Sequence, residues 1–379
     1  MEIKNLKKTA QRILKAVKNK EKIVLYGDAD LDGAAAVIIL ADTIKNLGGK
    51  IAAFYFPDRE AEGYGITETG LDRLKKIGKN VLLISLDLGI GNFKEVKLAK
   101  KLGFEIIIID HHEVLDKLPE AKIIVDPKQK EDKYPFKELA TAGIVFKLSK
   151  LLLSDKMTDL IRKNFLELTA LATIADMMPK QEENEMFIEE GIGYLESSFR
   201  PGIKVFFEME PFENCANLSQ KISKIISILN VRDVENNLPA SFRLLTNSSL
   251  KESRAIVEKL LEKNKLRKEK IAATTEEIER RISGQISSVV FEGGPDFDFT
   301  LISSTASIIC HRYQKPVFIF KKLENESIGT VRAPSGINSV SLMKKCSKYL
   351  LTYGGHPAAS GFRIKNENLE KFKECLREQ

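Results

Sequence analysis

The residues with the most chemistry to offer are carboxylates and imidazoles in short blocks. Gly27-Asp-Ala-Asp-Leu-Asp-Gly33 spaces Asp28, Asp30 and Asp32 two apart between glycines, and Asp87 opens Asp87-Leu-Gly-Ile-Gly91. Asp110, His111 and His112 follow a run of four isoleucines, and Asp176 closes an apolar stretch. Two adjacent imidazoles behind a carboxylate suggest one metal ligand and one free acid or base. Carboxylates this numerous, if they met, would raise one another's pKa values unless a cation neutralised them. Hard oxygen donors with one or two imidazoles suit Mn2+ or Mg2+ better than zinc in a thiolate cage. Two such ions about 3.5–4 Å apart, bridged by a carboxylate, would activate water and clamp a phosphoryl group.

These groups meet only if each sits at the same edge of a sheet. Glu105-Ile-Ile-Ile-Ile-Asp110 reads as a strand buried on both faces, because β-branched side chains pack well in a central parallel strand. Such a strand delivers its last residues to the carboxyl edge, where open α/β sheets present their ligand crevice. Lys22–Tyr26, Ile51–Phe56, Val81–Leu86 and Ile123–Val125 are further strands. Between them, 34–47, 66–77 and 93–102 are helical, with Gly48-Gly49 a stop signal. An amphipathic helix over 3–20 precedes them, with Leu6, Ile13, Leu14 and Val17 on one side. Alternation of this kind predicts an α/β fold with a doubly wound, mainly parallel sheet.

Helices follow over 140–153 and 160–174, and residues 187–247 are mixed. A charged, proline-free stretch over 248–283 reads as one helix of roughly 50 Å, long enough to connect two domains. Its charge is first of all a solvated face. A smaller α/β unit is expected beyond it: strands at 299–303, 316–320 and 327–332, a helix over 306–313, a turn at 333–338 opening a helix near Ser339, and a loop at 353–362 before a last strand. The expected domains are 1–190, 191–285 and 286–379.

A chain of 379 residues is too long for one ordinary core. A hydrophobic share of 43% requires folded structure, and no apolar run reaches the length of a membrane span. The start lacks a signal-peptide core, so a cytoplasmic location without a membrane partner is expected. Cys215, Cys310, Cys346 and Cys375 show no CxxC spacing, which argues against a disulfide framework and suits a reducing compartment. The net charge of +7, from 60 basic and 53 acidic residues, is compatible with a polyanionic partner and weak as an argument for one. Lys/Glu/Ile-rich usage without tryptophan hints at a thermophile.

Asp28-Ala-Asp-Leu-Asp-Gly33, Asp87, Asp110-His-His112 and Asp176 together resemble the DHH phosphoesterase superfamily, and Gly354-Gly-His-Pro-Ala-Ala-Ser-Gly-Phe362 resembles its DHHA1 domain. The resemblance covers nearly the whole chain. It implies a bilobed hydrolase of phosphodiester or phosphoanhydride bonds with two divalent ions, manganese first and magnesium second, in the first lobe. Asp30 and Asp32 would be ligands of the two ions, Asp87 the bridge, and His111 and Asp176 further ligands. His112 would polarise the phosphate or protonate the leaving oxygen, and Asp110 would orient a histidine. Many relatives carry a histidine where Tyr26 stands, so either Asp28 supplies the extra ligand or the first ion is held more weakly. In the second lobe Arg332, the Ser335-Gly336-Ile-Asn338 turn, Gly354, Gly355 and His356 would grip substrate, whereas His311 reads as structural.

Residues 139–146, 172–179, Arg200-Pro-Gly-Ile203 and Asn264-Lys-Leu-Arg267 are similar to the RecJ-type single-strand nuclease branch. No OB-fold of the bacterial kind is expected after the second lobe, and the sequence resembles the shorter archaeal type, some of which associate with replication or repair helicase complexes. Val231-Arg232-Asp233 departs from the branch's usual small residues and arginine after Asn230. The expected function is a metal-dependent exonuclease for single-stranded DNA, with RNA as a further substrate. The alternatives are a nanoRNase or pAp phosphatase acting on very short oligonucleotides, and a replication-helicase scaffold with little activity.

Overall fold

The computed structural model describes residues 2–59, 61–114, 117–283, 288–355 and 357–378. The chain divides into two units, Met1–Leu261 and Glu262–Gln379. The first begins with α1 (Leu6–Lys18), β1 (Lys22–Gly27), α2 (Leu31–Asn46), β2 (Ile51–Tyr55), α3 (Glu68–Leu74), β3 (Val81–Leu86), α4 (Phe93–Lys101), β4 (Phe104–Ile109) and β5 (Ile123–Val125). These five strands make one parallel sheet in the order β2-β1-β3-β4-β5.

Strand alternation divides the apolar residues between two cores. Leu82, Ile84, Leu86, Ile107 and Ile109 face one core, whereas Val81, Leu83, Ile106 and Ile108 face the other. Both faces of β3 are buried, which is why the sequence reads there as continuous rather than alternating hydrophobicity. The larger core is completed by α2, α5 (Thr141–Leu153), α6 (Asp159–Ala175) and α7 (Glu182–Leu195). Of the α1 residues expected on one side, Leu6 and Ile13 are buried, but Leu14 is exposed.

The stretch that reads as mixed resolves into α8 (Pro201–Lys204), α9 (Leu218–Leu229), a hairpin of β6 (Val234–Glu235) and β7 (Leu238–Pro239), and α10 (Ala240–Leu245). The hairpin turns on Asn236 and Asn237, both with positive φ, a two-residue connection that matches strand twist. The helix α11 (Leu250–Ile282) starts in the first unit and ends in the second.

The second unit continues with β8 (Val290–Gly294), α12 (Phe299–Tyr313), β9 (Val317–Lys322), β10 (Glu326–Arg332), α13 (Ser339–Lys345), β11 (Leu350–Gly355), β12 (Ala359–Lys365) and α14 (Leu369–Arg377). Its sheet runs β11-β12-β10-β9-β8, with β8 parallel to β9 and the other pairs antiparallel. Three expectations are corrected here. Residues 299–303 are the first turns of a helix: Asp298 caps Thr300 N at 2.9 Å, and Leu301, Ile302, Thr305, Ala306, Ile309 and Cys310 recur at helical spacing on its buried side. The segment 353–362 contains the paired ends of β11 and β12. Cys346 and Cys375 form a disulfide, 29 residues apart in sequence. They meet because α13 and α14 both pack on the Phe318–Phe362–Phe372 core, a tertiary contact that cysteine spacing does not reveal.

No helix among the described residues is long and apolar enough to cross a membrane.

One buried charge makes the first unit's stability depend on pH. Glu167 on α6 is 2% exposed, accepts a hydrogen bond from Ser198 Oγ at 2.7 Å, and is pushed from 4.5 to about 7, chiefly by burial. The folded state therefore holds this proton more tightly than the unfolded chain. Stability should fall as pH rises from about 4.5 to 7, by up to ~3 kcal/mol, and level off above. Glu167→Gln should flatten that slope and raise Tm at pH 8 relative to wild type, as measured by thermal unfolding across pH. An unchanged slope would remove Glu167 as its source.

Candidate metal centre

Register brings the acidic blocks together. Gly27 of β1 lies beside Leu86 of β3, Leu86 beside Ile109 of β4, and Ile109 beside Val125 of β5. The ladder continues one step beyond the strands: Asp28 N donates to Leu86 O, Asp87 N to Ile109 O and Asp110 N to Val125 O, at 3.1, 3.0 and 3.0 Å. Three aspartates are thereby set side by side at the carboxyl edge by backbone bonds alone. Asp87 leaves the strand with φ 65°, the left-handed region that a non-glycine residue seldom occupies, and Gly89 two residues on has φ 120°.

The helices supply the other members. Asp30 is the N-cap of α2 and accepts from Gly33 N at 3.0 Å. Asp32, in the first turn of α2, accepts from Thr141 N and Ala142 N at 2.7 and 2.8 Å, so the start of α5 fixes both its oxygens. Thr141 Oγ1 also donates to Asp87 Oδ1 at 3.0 Å. Asp176 is the C-cap of α6.

His111 stands among these carboxylates. Its Nε2 lies 3.3 Å from Asp87 Oδ1, 3.2 Å from Asp176 Oδ2 and 3.9 Å from Asp32 Oδ2, without a hydrogen bond to any of them. Its Nδ1 is buried and has no partner. Burial, followed by the charge of His112, lowers the ring to about 4, so the imidazole is neutral. Burial and mutual repulsion raise Asp32 and Asp87 well above the usual carboxylate range, and Asp176 to about 6. A neutral nitrogen donor facing three carboxylates suits a hard divalent cation between them. Three donor groups lie here: Asp32, His111 and Asp176; Asp28, Asp30 and Asp87; and Asp87, His111 and His112, which shares a member with each of the other two.

His112 has a different environment. Its Nδ1 is 2.7 Å from Asp110 Oδ1, and Asp110 also accepts from the backbone N–H groups of Ile90, His111 and His112. Burial opposes a charge on His112, but the hydrogen bond and charge of Asp110 outweigh it and raise the ring to about 9. The neighbouring histidines therefore hold opposite protonation states at neutral pH.

Two residues here carry no motif. Arg59 Nε donates to Asp28 Oδ1 at 2.9 Å, and its Nη2 reaches Asp28 Oδ2 and, at 3.0 Å, Asp30 Oδ2. The Tyr64 ring lies 5.2 Å from the Arg59 guanidinium, and its hydroxyl is 3.2 Å from His112 Nε2. Both sit on the loop after β2, at the same sheet edge as the other blocks. That position was the available signal. Tyr26, by contrast, packs against Tyr55, and its hydroxyl accepts a hydrogen bond from Thr67 N at 3.1 Å.

In the second unit, Arg332 at the end of β10 donates to Ser307 Oγ, Thr330 Oγ1 and Val331 O. Ser335, Gly336 and Asn338 are exposed, and Asn338 Oδ1 caps Ser341 N at 3.0 Å. Ala333 N and Ser339 N donate to Ala358 O and Pro357 O, which sets this turn beside the end of β11 with Gly354 and Gly355. His356 lies outside the described residues.

Gly33 is needed for steric reasons: a Cβ there would meet the Asp28 backbone at 2.4 Å. Gly33→Ala should displace the Asp28–Asp32 loop and weaken Mn2+ binding at least tenfold, measured by calorimetric titration. Binding equal to wild type would show that the loop tolerates the methyl group.

Parts of the chain match known protein families. Residues 22–173 match the DHH family, N-terminal domain, and residues 281–379 match the DHHA1 domain. The single-stranded-DNA-specific exonuclease RecJ of Bacillus subtilis is 33% identical over 385 residues, an alignment covering 100% of this chain and 48% of the relative. The Thermus thermophilus RecJ is 27% identical over 376 residues, covering 98% of this chain and 54% of that protein. This chain thus spans about half the length of those two relatives. A crystal structure of exonuclease RecJ bound to manganese superimposes with a TM-score of 0.80 at 24% identity, covering 100% of this chain and 94% of that one, and shares its fold. The match to the DHH family's N-terminal domain thus falls in the first unit and the match to the DHHA1 domain in the second.

Proposed function

We propose that this protein is a divalent-metal-dependent exonuclease that hydrolyses phosphodiester bonds of single-stranded DNA, with RNA as a further substrate. The observation that carries the reading is the neutral, unpartnered His111 set among Asp32, Asp87 and Asp176. The names of the relatives, single-stranded-DNA-specific exonucleases, supply the substrate class. Asp30, Asp32, Asp87, His111 and Asp176 would hold two ions, with Mn2+ preferred and Mg2+ accepted, and Asp28 would lie at the margin. When bound, such ions supply Lewis acidity toward a phosphoryl oxygen and lower the pKa of water.

The chain's own groups divide the remaining work. Asp110 keeps His112 protonated and orients its ring, leaving Nε2 to donate to a phosphoryl oxygen or to the leaving oxygen. Tyr64 lines the approach to that nitrogen, and Arg59 offers a planar fork that matches a phosphate. Thr141 and the start of α5 fix Asp32 and Asp87. Residues 1–190 would be the catalytic domain and 191–285 a connecting region. Residues 286–379 would hold substrate through Arg332, Ser335, Gly336, Asn338, Gly354, Gly355 and His356. The cytoplasm, where such nucleic acid is handled, is the compartment this function implies.

A length series tests the substrate class. The exonuclease should keep its rate from dinucleotides to strands of tens of nucleotides, and blunt duplex should be cut far more slowly. Preference for the shortest oligonucleotides or pAp would favour a nanoRNase-type phosphatase instead. Asp87→Ala should abolish turnover with the fold intact by circular dichroism. If wild type shows no turnover with Mn2+ or Mg2+, the enzymatic reading fails. Asp110→Asn should lower kcat roughly 10²-fold with little change in KM, since the neutral amide cannot hold the imidazolium. An unaltered kcat would exclude His112 from proton donation.

A further inference from the structure

Two of the donor groups in the cluster are not equivalent. Among the described residues, Asp32, His111 and Asp176 have no Lys or Arg paired with them. The Asp28–Asp30 side does. Arg59 takes both oxygens of Asp28 and one of Asp30, the oxygens that a cation on that side would need.

Arg59 is also held in place rather than merely near. Its loop is anchored by Glu62, whose carboxylate accepts from Tyr55 OH at 2.6 Å and Thr67 Oγ1 at 3.0 Å and pairs with Arg73 at 3.3 Å. Asn92 Oδ1 fixes Ile66 N at 3.0 Å, and the Tyr64 ring flanks the guanidinium. The Asp28 side chain is 1% exposed, so its charge requires a partner at all times. The side chain that could have added a ligand here, Tyr26, is committed to Thr67.

We propose that Arg59 is a resident cation covering the Asp28–Asp30 side of the cluster. The free protein then takes one divalent ion tightly at Asp32, Asp87, His111 and Asp176, and a second ion enters only when a phosphate draws Arg59 away. This rests on the metal-dependent reading above. The exchange is balanced in charge: the guanidinium leaves two carboxylates for a phosphate, which it grips bidentately, and a divalent ion replaces it. By linkage, the phosphate tightens the second ion as much as the second ion tightens the phosphate.

The test is Mn2+ titration of the metal-stripped protein, read by the electron paramagnetic resonance of free Mn2+, with and without a short phosphorothioate single strand and corrected for the strand alone. Wild type should bind one ion tightly and a second at least tenfold more weakly, and the strand should close that gap. Arg59→Gln should bind two ions of similar affinity without the strand, and Arg59→Lys, which keeps charge but not the fork, should fall between. Two equivalent ions in free wild type, or one tight ion in a folded Arg59→Gln, would overturn the proposal. Should Arg59→Gln fail to fold, the wild-type comparison with and without the strand decides alone. No bound Mn2+ at all would overturn the metal reading itself, whereas two equivalent ions would leave that reading standing.

Discussion

The structure depends on one electrostatic constraint: several carboxylates are drawn into a buried patch at one sheet edge, where water cannot screen them. Asp28, Asp32 and Asp87 are each about 2% exposed or less, and close packing raises all three above the ordinary carboxylate range. Such a patch is stable only with compensating positive charge or protons. Arg59 supplies one cation and His112 another. Among the described residues, the Asp32–His111–Asp176 side has no Lys or Arg paired with it and its imidazole is neutral, which makes it the natural seat of a metal ion.

Backbone geometry holds this arrangement against its own repulsion. The parallel ladder fixes Asp28, Asp87 and Asp110 through main-chain bonds that no side-chain charge disturbs. The cap of α2 and the start of α5 fix Asp30 and Asp32. These rigid attachments let the cluster exist before an ion arrives. Pre-organisation of this kind is what a site for phosphoryl chemistry requires.

Much of this was legible in the sequence because the chemistry is written at strand ends. Four isoleucines before Asp110, and glycines around Asp28–Asp32, locate both strand and loop locally. Arg59 was not legible. It lies 31 residues from Asp28, belongs to no motif, and reaches the cluster only because β2 pairs beside β1. The strand reading of 299–303 failed because Phe-Thr-Leu-Ile-Ser satisfies β-propensity while the Asp298 cap and the buried face of α12 select a helix. Cys346 and Cys375 were misread for the same underlying reason: their proximity comes from two helices packing on one aromatic core.

The RecJ-like fold of this chain places the same side chains in one locality regardless of the reaction, so the decisive question is whether they share an ion. The most direct measurement is anomalous diffraction at the manganese edge from crystals soaked in Mn2+. The account predicts its strongest peak among Asp32, Asp87, His111 and Asp176, within coordinating distance of His111 Nε2. Manganese bound elsewhere, with those four side chains still paired only to one another, would contradict it.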